Sequence, residues 1–82
     1  MSFANYINSA EALCISEAAN STPASPNWLE FCRGKDGRFF FAKFSRFTNR
    51  SEAEIIFISE DEAKEFTRRF GSDIIYNYIF KS

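Results

Sequence analysis

The chain has 82 residues, of which 45% are hydrophobic and 18% are aromatic, and its formal net charge is −1. This length fits a single domain, and the apolar content predicts a folded domain rather than a disordered segment. The small net charge excludes a protein-wide field that would attract nucleic acid or membranes.

Residues 3–19 have the pattern of an amphipathic helix. The segment is rich in Ala and Glu, which favour helices. Residues 20–26 contain two prolines among small and polar residues, so we expect a loop there. The apolar side chains of the helix recur at intervals of three or four, the spacing of one helix face: Phe3, Ile7, Ala10 and Cys14.

Three strands are predicted in the middle of the chain, over residues 28–33, 38–47 and 53–58. The Asp36-Gly37 pair suits the turn between the first two, because glycine tolerates positive φ. The second strand carries five phenylalanines on both of its faces, more than one buried face needs. Either both faces of this strand are buried, or one of them presents aromatic rings to a partner.

The clearest local signal is a capping box, Ser59 with Glu62, which begins a second helix. Arginines near its end suit the helix dipole, and Gly71 is the predicted C-terminal cap. The apolar run at residues 74–80 alternates as a fourth strand. The sequence therefore predicts one α+β domain, residues 1–82, in the order α-β-β-β-α-β. Its three-to-four-stranded, mostly antiparallel sheet carries two helices on one face.

The available side chains argue against catalysis. The chain has no histidine, which removes the commonest general base and zinc ligand. Its three glycines fit turns and a cap rather than a phosphate loop. We expect no enzyme activity, no cofactor and no metal site. Cys14 and Cys32 are expected as free thiols in a cytoplasmic protein, since neither a secretory signal nor an apolar membrane span is evident.

Protein binding is the predicted function. A small domain without catalytic groups typically acts by occupying a surface, and aromatic and acidic side chains provide anchors and charge complementarity. An acidic patch of this kind could cover a basic, nucleic-acid-binding surface of a partner. Strand 74–80, if it forms a sheet edge, could also pair with a second copy to give a homodimer. The predicted binding residues are Trp28, Glu60, Asp61, Glu62, Glu65, Tyr76 and Tyr78.

Nucleic-acid binding is the alternative. Residues 27–50 carry six basic and two acidic side chains, whereas residues 51–82 carry four basic and seven acidic ones. Basic residues interleaved with exposed aromatics on a sheet can neutralise phosphates and stack bases. A pI near 5.4 opposes this interpretation. The cations would be Arg38, Lys43, Arg46 and Arg50, and the stacking rings would include Phe39 and Phe41.

Two segments carry a resemblance. The run 37–40 (Gly-Arg-Phe-Phe) and the run 56–63 (Ile-Phe-Ile-Ser-Glu-Asp-Glu-Ala) resemble a pattern in short, mostly uncharacterised bacterial and phage proteins. In that pattern a glycine, a basic residue and two aromatics open a strand, and a later strand leads through acidic residues into a helix. In size and aromatic content the chain is also similar to phage-encoded inhibitors of host defence, such as anti-CRISPR proteins. That resemblance implies a non-enzymatic inhibitor acting by steric occlusion of a host-defence or nucleic-acid-processing complex.

Overall fold

The computed structural model describes residues 3–70 and 73–80. Within them, three helices and four strands follow one another along the chain, with a short 3-10 turn at Arg50–Glu52 before the last strand. The elements are α1 (Phe3–Ser9), β1 (Glu11–Glu17), β2 (Asn27–Arg33), β3 (Phe39–Ser45), β4 (Glu54–Ile58), α2 (Glu60–Phe70) and α3 (Asp73–Phe80).

The four strands form one antiparallel sheet in the order β1-β2-β3-β4, so each strand pairs with its neighbour in sequence. A tight turn joins β2 to β3, with the Gly34 amide donating to the Arg38 carbonyl over 2.8 Å. Gly37 has a φ of 86° in this turn, a conformation that glycine adopts without steric cost. The predicted Asp-Gly turn is therefore confirmed.

One face of the sheet, called the α1 face, is covered by α1. Cys32, Phe40 and Ala42 are fully buried here. The Tyr6 ring of α1 lies 5.7 Å from the Phe40 ring and 6.1 Å from the Phe57 ring, measured between centroids. The first helix therefore closes one aromatic layer of the core.

The opposite face, called the α2 face, is partly covered by α2 and α3. Phe31 is 1% exposed, and its ring centroid lies 5.8 Å from that of Phe39 and 5.1 Å from that of Phe66. Phe80 of α3 closes over Phe39 at 5.5 Å. Because helices lie on both sides of β3, adjacent phenylalanines point into two separate layers. This arrangement explains why β3 is apolar on both of its faces.

The capping box of α2 is confirmed. The Glu62 amide donates to the Ser59 hydroxyl over 3.1 Å, and the Ser59 amide donates to Glu62 Oε1 over 3.3 Å. Ala63 and Phe66 face the core as expected. The structure adds buried Thr67, whose hydroxyl donates to the Ala63 carbonyl over 2.7 Å. The proposed cap at Gly71 lies outside the described residues.

The α+β class with an antiparallel sheet is confirmed, but both ends of the predicted element order are wrong. Residues 3–19 form a short helix and then β1, because β2 supplies partners for residues 11–17, with one irregularity between Ala12 and Cys14. Residues 74–80 form most of α3 rather than a strand. Two helices, α2 and α3, do cover one face, while α1 lies on the other.

Candidate functional site

Half of the α2 face is left open by the described residues. The two helices cover the end of the sheet that carries Phe31, Phe39 and Ile58. Alternate residues further along the same strands, Leu29 and Ile56, lie outside that covered cluster. Ile56 is 40% exposed. The apolar surface of the sheet therefore extends beyond the area that α2 and α3 cover.

Two adjoining depressions of about 450 Å³ and 270 Å³ occupy this open half, and both are lined by Phe41. The larger runs across β2, β3 and β4 to the segment that follows β1, and the smaller lies between β3 and α2. Together they are called the open groove. It is lined by Glu17, Ala18, Ala19, Asn20, Leu29, Phe41, Lys43, Ile56, Glu62, Glu65, Phe66 and Arg69.

The floor of the open groove is apolar and its rim is charged. Leu29, Phe41 and Ile56 form the floor, with the Phe41 ring held 4.8 Å from that of Phe66. On the rim, Glu62 and Glu65 stand with two basic residues, Lys43 and Arg69. Lys43, one of those two, lies 4.0 Å from the carboxylate of Glu54, which further offsets its charge. The groove is thus an apolar strip with an acidic excess at its edges.

The predicted acidic patch is divided by the structure. Glu62 and Glu65 line the open groove. Glu60 and Asp61 are exposed in the first turn of α2, and they do not line the groove. The fold therefore places half of the predicted acidic patch beside the aromatic floor.

The predicted tyrosines lie on α3, where they hold that helix in place. The Tyr78 hydroxyl donates to Glu11 Oε2 over 2.6 Å, and Arg33 Nη2 donates to Glu11 Oε1 over 2.7 Å. The hydrogen bond from Tyr78, together with Arg33, holds the pKa of the Glu11 carboxyl below its ordinary value. Similarly, Arg68 donates to the Tyr76 hydroxyl over 3.1 Å. Strand-edge pairing of residues 74–80 with a second copy, as predicted, does not fit this helix.

Trp28 lies away from both groups. The register pairs it with Phe44 of β3, and the two rings lie 5.9 Å apart on the α1 face. Trp28 is half-buried there. The predicted protein-binding residues therefore occupy three separate places, and only Glu62 and Glu65 adjoin the open groove.

The residues predicted to bind nucleic acid do not form one surface. The Arg38 guanidinium lies 3.8 Å from the centroid of the Phe57 ring on the α1 face, whereas Lys43 lies in the open groove on the other face. Arg46 lies beyond the far end of β3, 4.7 Å from the Phe47 ring. Phe39 is 9% exposed, so its expected role as an open stacking ring is wrong. The Arg50 side chain lies outside what the structure describes.

The sequence missed the residues that make the groove continuous. Leu29 and Ile56 lie within the predicted strands 28–33 and 53–58, but neither was predicted to bind a partner. Ala18 to Asn20 form a wall of the groove, which a helix over residues 3–19 would not place there. Strand alternation was the available signal, since it sets Leu29 beside Phe31 on one face.

Neither cysteine has the surroundings of an activated nucleophile. Cys14 packs on the α2 face, and burial raises the pKa of its thiol above the ordinary value of 9.0, which keeps it protonated at neutral pH. Cys32 is buried on the α1 face, where its thiol donates to Glu30 Oε1 over 3.0 Å. Both are free thiols. The sheet separates them, so they do not act as a pair.

Across residues 3–70 and 73–80, no three His, Cys, Asp or Glu side chains are grouped so that they could hold a metal ion. In the same ranges, every helix is too short or too polar to cross a membrane.

No family model, no curated protein and no solved structure matches this chain.

Proposed function

We propose that this chain is a non-enzymatic protein-binding domain that acts stoichiometrically, with the open groove as its binding surface. The observation that carries the proposal is the apolar floor of Leu29, Phe41 and Ile56, which the described helices leave uncovered on a sheet whose other half is buried. Burial of apolar surface contributes roughly 25 cal/mol per Å². A partner that covers this floor therefore gains binding free energy without reshaping the domain.

The surface favours a helix as the bound element. On the covered half of the same face, α2 packs Ala63 and Phe66 against the phenylalanines of the sheet. The open groove continues that surface next to α2, with Phe41 shared between the two halves. An amphipathic helix of the partner can lie beside α2 and place its apolar side chains on the floor.

The rim favours a basic partner. Glu62 and Glu65 lie along the α2 side of the groove, and Glu54 lies 4.0 Å from Lys43 and offsets its charge, so a bound helix would lie beside an excess of carboxylates. Lysine or arginine flanking the apolar side of the helix would meet these groups, whereas acidic residues would be repelled. The partner segment is therefore an amphipathic helix with a basic border.

An inhibitor of the anti-CRISPR kind is the specific form of this proposal. A partner with a basic nucleic-acid-binding surface supplies the positive charge that the groove rim would attract. Occupying that surface would block access of the nucleic acid by steric occlusion. Binding of nucleic acid by the chain itself has less support, because Arg38, Lys43 and Arg46 lie on different parts of the molecule.

Affinity capture from a lysate of the source cells, with and without nuclease, tests the proposal. The double variant Glu54→Lys, Glu65→Lys reverses two charges beside the groove at exposed positions. The matched control, Glu60→Lys, makes the same change on α2 outside the groove. We expect a discrete protein that survives nuclease, is captured by the control and is lost with the double variant.

Two outcomes oppose the proposal. Capture of the same protein by the double variant would show that the groove is not the binding surface. Recovery that disappears after nuclease treatment would favour nucleic-acid binding instead, and that binding should weaken steeply with rising salt concentration.

A further inference from the structure

The outer edge of β4 is an apolar edge strand. β4 lies at the end of the sheet, and none of the described strands pairs with its outer side. Ile56 is 40% exposed on the α2 face, and Phe57 is 38% exposed on the α1 face. A ligand on one face of the sheet would cover only one of these residues. A strand added beside β4 would cover the flanks of both.

The other sheet edge, β1, carries features that oppose strand addition. Glu11 and Glu17 stand at its two ends, and an irregularity between Ala12 and Cys14 interrupts its register. Terminal charges and bulges are common protections of edge strands. In β4 the register to β3 is regular over all five residues, and four consecutive apolar residues follow a single glutamate. Only one of the two edges is therefore protected.

We propose that β4 pairs antiparallel with β4 of a second copy, about a two-fold axis through Ile56. Antiparallel pairing about such an axis sets Ile56 opposite its own copy on the α2 face. On the α1 face it sets Phe57 opposite Ile55 of the second copy. Apolar cross-strand pairs of this kind stabilise antiparallel sheets. The two four-stranded sheets then continue as one sheet through the dimer.

Charge selects this edge and this register. In the proposed pairing each Glu54 lies opposite Ile58 of the other copy, so the two glutamates stand at opposite ends of the interface. Glu54 also lies 4.0 Å from Lys43 of its own chain. The equivalent pairing of two β1 strands would set Glu11 opposite Glu17, and like charges directly opposite one another destabilise a sheet. The net charge of −1 adds little repulsion between copies.

The interface is small, so the dimer should be reversible. β4 has five residues, and stable protein interfaces bury roughly 1,200–2,000 Å² in total. A pair of five-residue strands buries less surface area than this unless neighbouring elements also contribute to the interface. The two-fold axis keeps both α2 faces on the same side of the joined sheet. A dimer would therefore present two open grooves side by side, although dimerisation does not depend on what the grooves bind.

Sedimentation of the purified chain over a dilution series tests the proposal without any partner. We expect the mass to rise from 9.5 kDa towards twice that value as concentration increases. Ile56→Lys should remain monomeric, whereas Ile15→Lys, the matched change on β1 at a 57% exposed position, should dimerise like the parent chain. A parent chain that stays monomeric at its solubility limit would overturn the proposal, as would a dimer unaffected by Ile56→Lys.

Cysteine cross-linking tests the register even if Ile56→Lys fails to fold. Under mild oxidation, Ile56→Cys should form a disulfide-linked dimer, because residues opposite each other lie within disulfide range. Phe57→Cys should not, because it meets its own copy only diagonally, at roughly 7–8 Å. The parent chain and Ile15→Cys are the controls for native thiols and for the other edge. Cross-linking of Ile15→Cys in place of Ile56→Cys would overturn the proposal.

Discussion

The two halves of the α2 face are built from the same strands but have different neighbours. On the covered half, Phe31 is 1% exposed beneath α2, and Phe39 is closed over by Phe80. On the open half, Ile56 remains 40% exposed beside Leu29 and Phe41. Both halves are apolar, yet the described helices cover only one of them. An apolar strip beside charged walls is typical of an interaction surface, so the difference separates the residues that stabilise the fold from those available for binding.

Truncation of one residue in each half should give the largest contrast. Phe31→Ala removes a ring that contacts three others in the core, and we expect a loss of about 3–5 kcal/mol in the free energy of unfolding. Leu29 is half-buried in the open groove, so Leu29→Ala should lower the free energy of unfolding by only about 1 kcal/mol. Urea unfolding measures both values.

Provided that both variants remain folded, Leu29→Ala should weaken partner binding more than Phe31→Ala does, the opposite of their order in stability. Leu29→Ala should weaken capture of the partner with little effect on the fold. Equal losses of stability for the two variants would mean that the open half is part of the core in solution, and the contrast between the halves would be lost.

Loss of the α2 cap should have an intermediate effect. Ser59→Ala removes the hydroxyl that accepts from the Glu62 amide, which should cost about 1 kcal/mol. Because α2 covers Phe31, amide exchange should increase in α2 and at the covered half of the sheet. Ser59→Asp keeps a capping oxygen and is the matched control. An unchanged exchange rate in Ser59→Ala would show that packing alone holds the helix start.

The smallest expected effect is a pH dependence from the contacts of α3. The Tyr78 hydrogen bond and Arg33 lower the pKa of Glu11 from its ordinary value of 4.5. A depressed pKa in the folded state stabilises the fold above pH 4.5, and this contribution is lost as the pH falls through the lowered pKa. Glu11→Gln should remove part of the acid sensitivity seen in thermal unfolding, because Glu11 no longer titrates.

Glu17→Gln, at the other end of β1, is the control for that experiment. Glu17 lies opposite Trp28 in the strand pairing rather than beside Tyr78 and Arg33, so the acid unfolding of this variant should follow that of the parent chain. Identical pH profiles for all three proteins would show that Glu11 contributes no stability through Tyr78 and Arg33.

The central part of the fold was predictable because its local signals agree with its long-range contacts. The Asp36-Gly37 turn marks where β2 ends and β3 begins, and the Ser59 cap marks where α2 begins. Both signals can be read from the sequence without knowledge of the strand pairing. The ends lacked such agreement. Residues 11–17 contain helix-favouring Ala and Glu and a single β-branched residue, Ile15, yet pairing with β2 makes them a strand. Long-range pairing overrides weak propensity.

Residues 74–80 show the reverse case. Their Ile, Tyr and Phe residues favour strands, but Tyr76 and Phe80 lie 5.0 Å apart, as residues four positions apart on a helix do. Phe80 also reaches Phe39 of the core. The candidate site was predictable only in pieces. Phe41 and Glu65 were assigned from sequence to two different functions, and only the sheet register with α2 brings them to one groove.

The central claim, that the open half of the α2 face binds a basic amphipathic helix, is tested most directly by NMR titration. The probe is a synthetic amphipathic peptide of leucine and lysine, and its leucine–glutamate counterpart is the control. The account predicts saturable shift changes at the amides of Leu29, Phe41 and Ile56 with the lysine peptide only. Changes centred on the α1 face, or equal responses to both peptides, would contradict it.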